Sequence, residues 1–182
     1  MHGKPKMEES SIGLNEVIVI NKYFNEDYSW NNFINCINDA YDLNDSNNRI
    51  EGSKEVIGKV NFWQKLTMTL DNIDSKNFPG IENKLEKLKN LHLSIKGSSK
   101  CTGYFGAVSL TNKEPTTGKH SDPIDVIYCQ FVGSVTWTIF DENKSNVFIL
   151  NPGDIIYVPR SVVHEVKSSN PRAAISFMFE AS

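Results

Sequence analysis

The sequence predicts an α+β protein, with helices in its first half and strands in its second. Three observations carry this. Behind Ser29, an N-capping residue type, Trp30, Phe33, Ile34, Ile37 and Tyr41 recur at helical spacing, predicting a helix to about Tyr41. After Pro79, Ile81, Leu85, Leu88 and Leu91 line one helix face while lysines take the other. From about His92 the texture changes to short runs rich in β-branched and aromatic residues: LHLSIKG, GYFGAVSL, DVIYCQFVG, SVTWTIF, NVFIL, DIIYVP and RAAISFMFE. Runs spaced at roughly ten residues with turn residues between them indicate an all-β sandwich or barrel. No strand–helix–strand alternation occurs, which excludes a parallel doubly wound sheet.

The remaining segments follow in order. Residues 1–13 are polar and read as loose chain, and EVIVI at Glu16–Ile20 reads as a short strand. Asp42–Ser53 reads as a polar loop. Phe62, Leu66, Leu70 and Ile73 suggest a helix, although LTMTL alone also fits a strand. The expected organisation is a helical extension over 1–91 packing on a β core over 92–182, the two forming one structural unit.

Composition narrows the function classes. The chain has 182 residues, 39% of them hydrophobic and 23% charged, as in a soluble globular protein with one core. A net charge of −3 argues against a protein whose main affinity is for nucleic acid phosphates. No apolar run approaches the roughly 20 residues that span a bilayer, and MHGKPKMEES lacks the apolar core of a signal peptide. Cys36, Cys101 and Cys129 are widely spaced with no C-x-x-C, which fits a reducing cytoplasm rather than a disulfide framework or zinc cluster. Arginine is scarce: only Arg49, Arg160 and Arg172 occur among 19 basic residues, a pattern that an AT-rich genome explains.

Two segments carry candidate chemistry, TTGKHSDPIDVIYCQFVGSVTW and NPGDIIYVPRSVVHEV. In the first, His120 and Asp122 stand two apart at the start of a strand, where alternation places both on one face. In the second, His164 follows a strand and a tight turn after Pro159. Two imidazoles and one carboxylate form a facial set that fits octahedral Fe(II) and leaves the opposite face open. His2 and His92 read as structural or surface residues, and Trp30, Trp63 and Trp137 as core.

The flanks of these residues resemble the cupin superfamily. Its second motif reads G-x5-P-x-G-x2-H-x3-N; here Gly153, Pro159 and His164 fall in register, with Ser161 and Ser168 at the other two positions. The closing glycine of the first motif matches Gly133. The glutamate of four-ligand cupins is replaced by Val126, and Asp125 beside it should face the other side of the strand. The segment from His120 to Trp137, followed by P-x-x-x-x-H-E-V, therefore resembles the three-ligand JmjC-type hydroxylases over about residues 103–180. The resemblance implies a double-stranded β-helix (jelly-roll) barrel holding Fe(II) on His120, Asp122 and His164. It also implies 2-oxoglutarate as cosubstrate and O₂ as oxidant.

The cosubstrate's distal carboxylate needs a cation in the barrel, and Val135 stands where JmjC-type hydroxylases carry a lysine. A substitute resembles the prolyl-hydroxylase type: His164-Glu165-Val166, a short loop, then Arg172-x-Ala174-Ile175-Ser176. Arg172 and Ser176 would share a strand face, and a guanidinium grips a carboxylate bidentately. Thr117 matches a cosubstrate-contacting hydroxyl of JmjC-like asparaginyl hydroxylases, and Tyr128 and Gln130 alternate onto the cavity face. Arg160 could meet substrate or be a solvated rim charge. The expected activity is hydroxylation of an unactivated C–H, on a peptidyl or amino-acid side chain or a small molecule, by a cytoplasmic protein with homodimerisation left open. Two alternatives remain: a metal-dependent cupin dioxygenase or isomerase that does not use 2-oxoglutarate, and a non-catalytic ligand-binding module.

Overall fold

The computed structural model describes residues 17–25, 28–42, 49–51, 67–70, 73–109, 115–142, 144–168 and 170–180. Within them run β1 (Ile18–Ile20), α1 (Trp30–Asp42), β2 (Arg49–Glu51), β3 (Thr67–Leu70) and α2 (Ile81–Lys96). The strands β4 (Cys101–Ser109), β5 (Pro115–His120), β6 (Asp125–Val132) and β7 (Val135–Phe140) follow. The chain continues through β8 (Ser145–Leu150), β9 (Ile155–Val158), β10 (Val163–Ser168) and β11 (Arg172–Phe179). All described pairings are antiparallel. A larger sheet has the order β1-β9-β6-β11-β4-β3-β2, and a smaller one the order β5-β10-β7-β8. This is the α+β jelly-roll architecture that the cupin resemblance implies.

Strand alternation builds two cores from one sheet. On β6, Val126 and Tyr128 face the barrel interior, while Ile127, Cys129 and Phe131 face the helices. On β11, Ala174 faces inward, and Ala173, Ile175, Phe177 and Phe179 join the helical layer. That layer is completed by Phe33 and Cys36 of α1, Ile81 and Leu88 of α2, and Phe24, Tyr28 and Phe78 from the connecting segments. Each buried isoleucine, leucine or phenylalanine among them contributes about 1.5–3 kcal/mol. Strands covered on both faces read as continuous apolar runs, as β6 and β11 do. In β7 buried and half-buried residues alternate, because the smaller sheet turns its outer face to water.

Three element expectations change. The segment expected as a helix through Leu66–Ile73 contains β3, paired with β4 along Thr67–Leu70. Its threonines suit a strand, and pairing with β4 on one side and β2 on the other decides between the two periods; Phe62, Trp63 and Leu66 lie outside the described residues. The polar loop expected over 42–53 contains β2, an edge strand on β3. LHLSIKG, expected as a strand, continues α2 to Lys96, where Gly97 at φ 70 ends the helix with its N–H on the Leu93 carbonyl. His92 is thus on a helix and fully buried. β1, β2 and β3 come from the first half of the chain, yet they are strands of the larger sheet.

Two glycines of the motif region are required by contacts. Gly133, at φ 69, turns β6 into β7 with its α-carbon against the connection from β10 to β11; a methyl there would collide with the Pro171 carbonyl oxygen and press on Arg172. Gly153, at φ 93, packs against the Phe24 carbonyl, and its own carbonyl accepts the Phe24 N–H at 3.1 Å.

Candidate active site

His164 of β10 and His120 of β5 are direct Cα partners across the smaller sheet. Asp122 is on the loop after β5, not in a strand, so the sequence argument from alternation does not explain its position. The loop folds back and is fixed by the Ser161 N–H donating to the Asp122 carbonyl at 2.8 Å. The outcome is convergence: the candidate ligand atoms of His120, Asp122 and His164 all lie within 4.8 Å of one another. His164 Nε2 is 3.6 Å from one Asp122 oxygen, and His120 Nε2 is 4.0 Å from the other.

Hydrogen bonds set the tautomers. His120 Nδ1 faces the Gly118 carbonyl at 2.7 Å, and His164 Nδ1 faces the Val162 carbonyl at 2.9 Å. A carbonyl can only accept, so each Nδ1 carries the hydrogen, and in the neutral ring Nε2 has its lone pair on the Asp122 side. Burial pushes the His164 imidazole below its ordinary value, with His120 adding to the effect against the Val162 carbonyl and Asp122. That favours the neutral ring, the form that ligates a metal. His164 is buried, whereas His120 and Asp122 are about one-third exposed, so the set has a protein-facing side and an open side. Among the described residues, this is the one group of three or more ligand-type side chains with metal-binding proximity.

Inside the barrel, a line of contacts leads away from the triad. Trp137 of β7 stacks on His164 at 5.1 Å and meets Tyr128 edge-on at 5.1 Å. The Arg172 guanidinium donates to the Tyr128 hydroxyl, which in turn donates to Gln130 Oε1 at 2.8 Å. Gln130 spends its amide on the Val132 and Gly133 carbonyls at 2.6 and 3.0 Å, closing the β6–β7 turn. Burial pushes the Tyr128 phenol up, opposed by the neighbouring Arg172 charge. Ser176 is the Cα partner of Tyr128, and Arg172, Ser176 and Tyr128 are all buried. Val135 is also buried, at the start of the strand that follows Gly133. Because Gly133 packs directly on Pro171 and Arg172, Arg172 enters the barrel at the end where Val135 sits. Thr117 lies on β5 opposite Val166.

One buried group in this line has no hydrogen-bond partner among the described residues: Trp137 Nε1. A buried donor left unpaired costs about 1–3 kcal/mol, so a polar ligand in the barrel would fit there. Other residues of the motif region have local duties. Asp154 accepts the Lys22 and Asn151 N–H groups, and Ser168 donates to the Asn170 carbonyl in the turn before Arg172. The Arg160 side chain is exposed at the rim. Sequence reasoning missed the role of Asp125 and His92. Asp125 does face away from the cavity, but it is buried and bonded to His92, Tyr157 and the Arg160 N–H. The available signal was a charged residue opening a mostly apolar strand.

Comparison with known proteins agrees with this architecture. Residues 141–182 match the family model described as JmjC domain. Among solved structures, the Escherichia coli ribosomal oxygenase YcfD in complex with cobalt and 2-oxoglutarate is similar at 17% identity and TM-score 0.55. That alignment covers 92% of this chain and 48% of that one. The α-ketoglutarate-dependent non-heme epimerase SnoN from nogalamycin biosynthesis is similar at 11% identity and TM-score 0.64, covering 92% of this chain and 78% of that one. At these identities the likeness is one of fold. The chain spans about half the length of the E. coli oxygenase. No curated protein matches the chain in sequence. Among the described residues, no helix is long and apolar enough to cross a membrane.

Proposed function

We propose that this chain, a JmjC-like jelly-roll protein, is an Fe(II)- and 2-oxoglutarate-dependent oxygenase that hydroxylates an unactivated C–H bond. The observation that carries the reading is the convergence of His120, Asp122 and His164 with both Nδ1 hydrogens committed to main-chain carbonyls. That donor set, two neutral nitrogens and one carboxylate with an open side, suits Fe(II) and three exchangeable ligands. When bound, iron with 2-oxoglutarate and O₂ supplies the oxidising chemistry, with succinate and CO₂ as co-products.

The chain's own residues supply geometry and a dry pocket. His164 and Trp137 wall the inner side of the metal position, and the open side beside His120 and Asp122 admits substrate. Arg172, oriented by Tyr128, is the candidate anchor for the distal carboxylate, in place of the lysine that Val135 does not provide. Ser176 and Thr117 are candidate hydroxyl partners for the same cosubstrate, and the Trp137 N–H offers a further donor. In this reading residues 1–91 act as an extension backing the 92–182 barrel. A peptidyl side chain is the first substrate class to test, since a similar fold serves a ribosomal oxygenase; free amino acids and small metabolites are next. Cytoplasmic localisation belongs to the proposal as well, with homodimerisation left open.

The experiment is anaerobic addition of Fe(II) and then 2-oxoglutarate. The expected result is a visible charge-transfer band that needs both, followed by succinate release on exposure to O₂. Iron binding without that band would favour a cupin enzyme that does not use 2-oxoglutarate. Absence of iron binding would favour a ligand-binding module.

A further inference from the structure

Two of the three candidate metal ligands depend on irregular segments: the loop after β5 holds Asp122, and the turn Pro159–Val162 leads to His164. The turn contains Ser161 at φ 64, a left-handed conformation unfavourable for a residue with a β-carbon. Such a conformation persists only when its surroundings over-determine it. One restraint is the bond from the Ser161 N–H to the Asp122 carbonyl. The second is a side chain: Asp125 Oδ1 accepts the Arg160 N–H at 2.8 Å.

Asp125 is itself held from behind. Its Oδ2 accepts the Tyr157 hydroxyl at 2.9 Å and faces His92 Nε2 at 3.0 Å. His92 reaches it from α2, with Nδ1 against the Ser98 carbonyl at 2.8 Å and its ring stacked on Phe179 at 4.6 Å. Desolvation would raise this buried carboxylate, but the Arg160 N–H, His92 and the Tyr157 hydroxyl overcome it, so Asp125 stays below its ordinary value and ionised. A buried charge serves stability poorly, because well-packed apolar residues do as well or better. Here its oxygen is aimed at the main chain of the turn that presents His164.

We propose that Asp125, braced by His92 and Tyr157, is a positioning residue that sets the Asp122-to-His164 spacing before metal arrives; the proposal rests on reading the triad as a metal centre. The turn cannot relax toward an ordinary backbone conformation without breaking the Arg160–Asp125 bond. Relaxation there would displace His164, three residues on. The helix α2 is thereby coupled to the metal position although it contributes no ligand.

The test is cobalt(II) titration of the full chain, following affinity and the visible spectrum, with thermal unfolding of each metal-free protein beside it. The variants are Asp125→Asn, Tyr157→Phe and His92→Gln. Asp125→Asn is expected to weaken cobalt binding about tenfold and alter the spectrum, with the other two acting in the same direction by less. A merely structural role would lower the melting temperature while leaving affinity and spectrum of the folded protein unchanged. If Asp125→Asn does not fold, the other two variants decide. Cobalt affinity within about twofold of wild type and an unchanged spectrum in every folded variant overturn the proposal. Failure of the wild type to bind cobalt, or equal binding by His164→Ala, removes the metal-centre reading itself, a different result.

Discussion

His164 and His120 lie directly opposite each other across the β10–β5 ladder, and each ring faces the carbonyl two residues before it through Nδ1. Two side chains from distant segments thus present the same tautomer to the same carboxylate. Removing either should abolish tight metal binding, beyond the roughly 100-fold that loss of an outer-shell partner costs. His164→Ala should also cost about 2 kcal/mol of metal-free stability, since the ring is buried against Trp137. His120→Ala, partly exposed, should cost less. Calorimetric cobalt titration and urea unfolding of the same samples check both statements.

Arg172 should separate cosubstrate binding from metal binding. Arg172→Met keeps length and apolar packing but removes the donor to Tyr128 and the candidate carboxylate partner. The expected loss in 2-oxoglutarate affinity is about 2–4 kcal/mol, with cobalt affinity unchanged. Tyr128→Phe should lose less, because the guanidinium remains. Arg172→Lys should recover little, as an ammonium cannot reproduce a planar fork. Isothermal titration with 2-oxoglutarate on the cobalt-loaded protein makes the measurement; equal affinities would remove Arg172 from the pocket.

The sandwich was legible in the sequence because its strands carry their environment in their composition. β6 and β11, covered on both faces, read as apolar runs, and alternating β7 reads as a strand with one wet face. The three candidate ligands were legible because motif spacing encodes turn geometry: Gly133 and Gly153 occupy left-handed positions where a β-carbon would collide. The rest was hidden for physical reasons. β2 and β3 are short strands at one end of the larger sheet, joined to it through the β3–β4 ladder whose partner lies far along the chain, so no local pattern announces them. His92 sits at the end of a helix where LHLSIKG fits either period, and only tertiary packing decides. Asp122 reaches the site through a loop restraint that alternation cannot express.

Gly133→Ala should be among the most damaging single-methyl changes in the chain. The added carbon meets the Pro171 carbonyl and forces a positive φ on alanine. Backbone strain alone costs about 1–2 kcal/mol, and the collision adds to it. A total near 3 kcal/mol is expected from urea unfolding. Because the clash presses on Arg172, 2-oxoglutarate affinity should fall in whatever folded protein remains.

Ser161→Gly should do the opposite. Glycine accepts φ 64 without strain, recovering about 1–2 kcal/mol, against a loss of about 0.5–1 kcal/mol from the greater freedom of the unfolded chain. A gain of roughly 0.5 kcal/mol and a small rise in melting temperature are expected, with metal affinity kept. A clear loss of stability would mean that the Ser161 side chain contributes contacts exceeding the strain.

Asp125 makes a prediction about acid. Its carboxyl is held below the ordinary value of about 3.9 in the folded protein, because the Arg160 N–H, His92 and Tyr157 outweigh desolvation. The sign follows from linkage. The unfolded chain binds this proton more readily, so the stabilisation is full above the unfolded value and is lost as pH falls through the folded one. Wild-type stability should therefore decline from roughly pH 5 downward, with part of the slope due to Asp125. Asp125→Asn should start lower at neutral pH, since an amide nitrogen cannot accept where a carboxylate oxygen does, and show a shallower acid limb. Asp39, lowered by Asn77 and Lys76 at the exposed face of α1, contributes to the same limb, so Asp39→Asn is the control. Urea midpoints between pH 3 and 7 for the three proteins separate the contributions, about as follows: curves for wild type and Asp125→Asn that run parallel would place the acid sensitivity elsewhere, whereas convergence at low pH assigns it to Asp125.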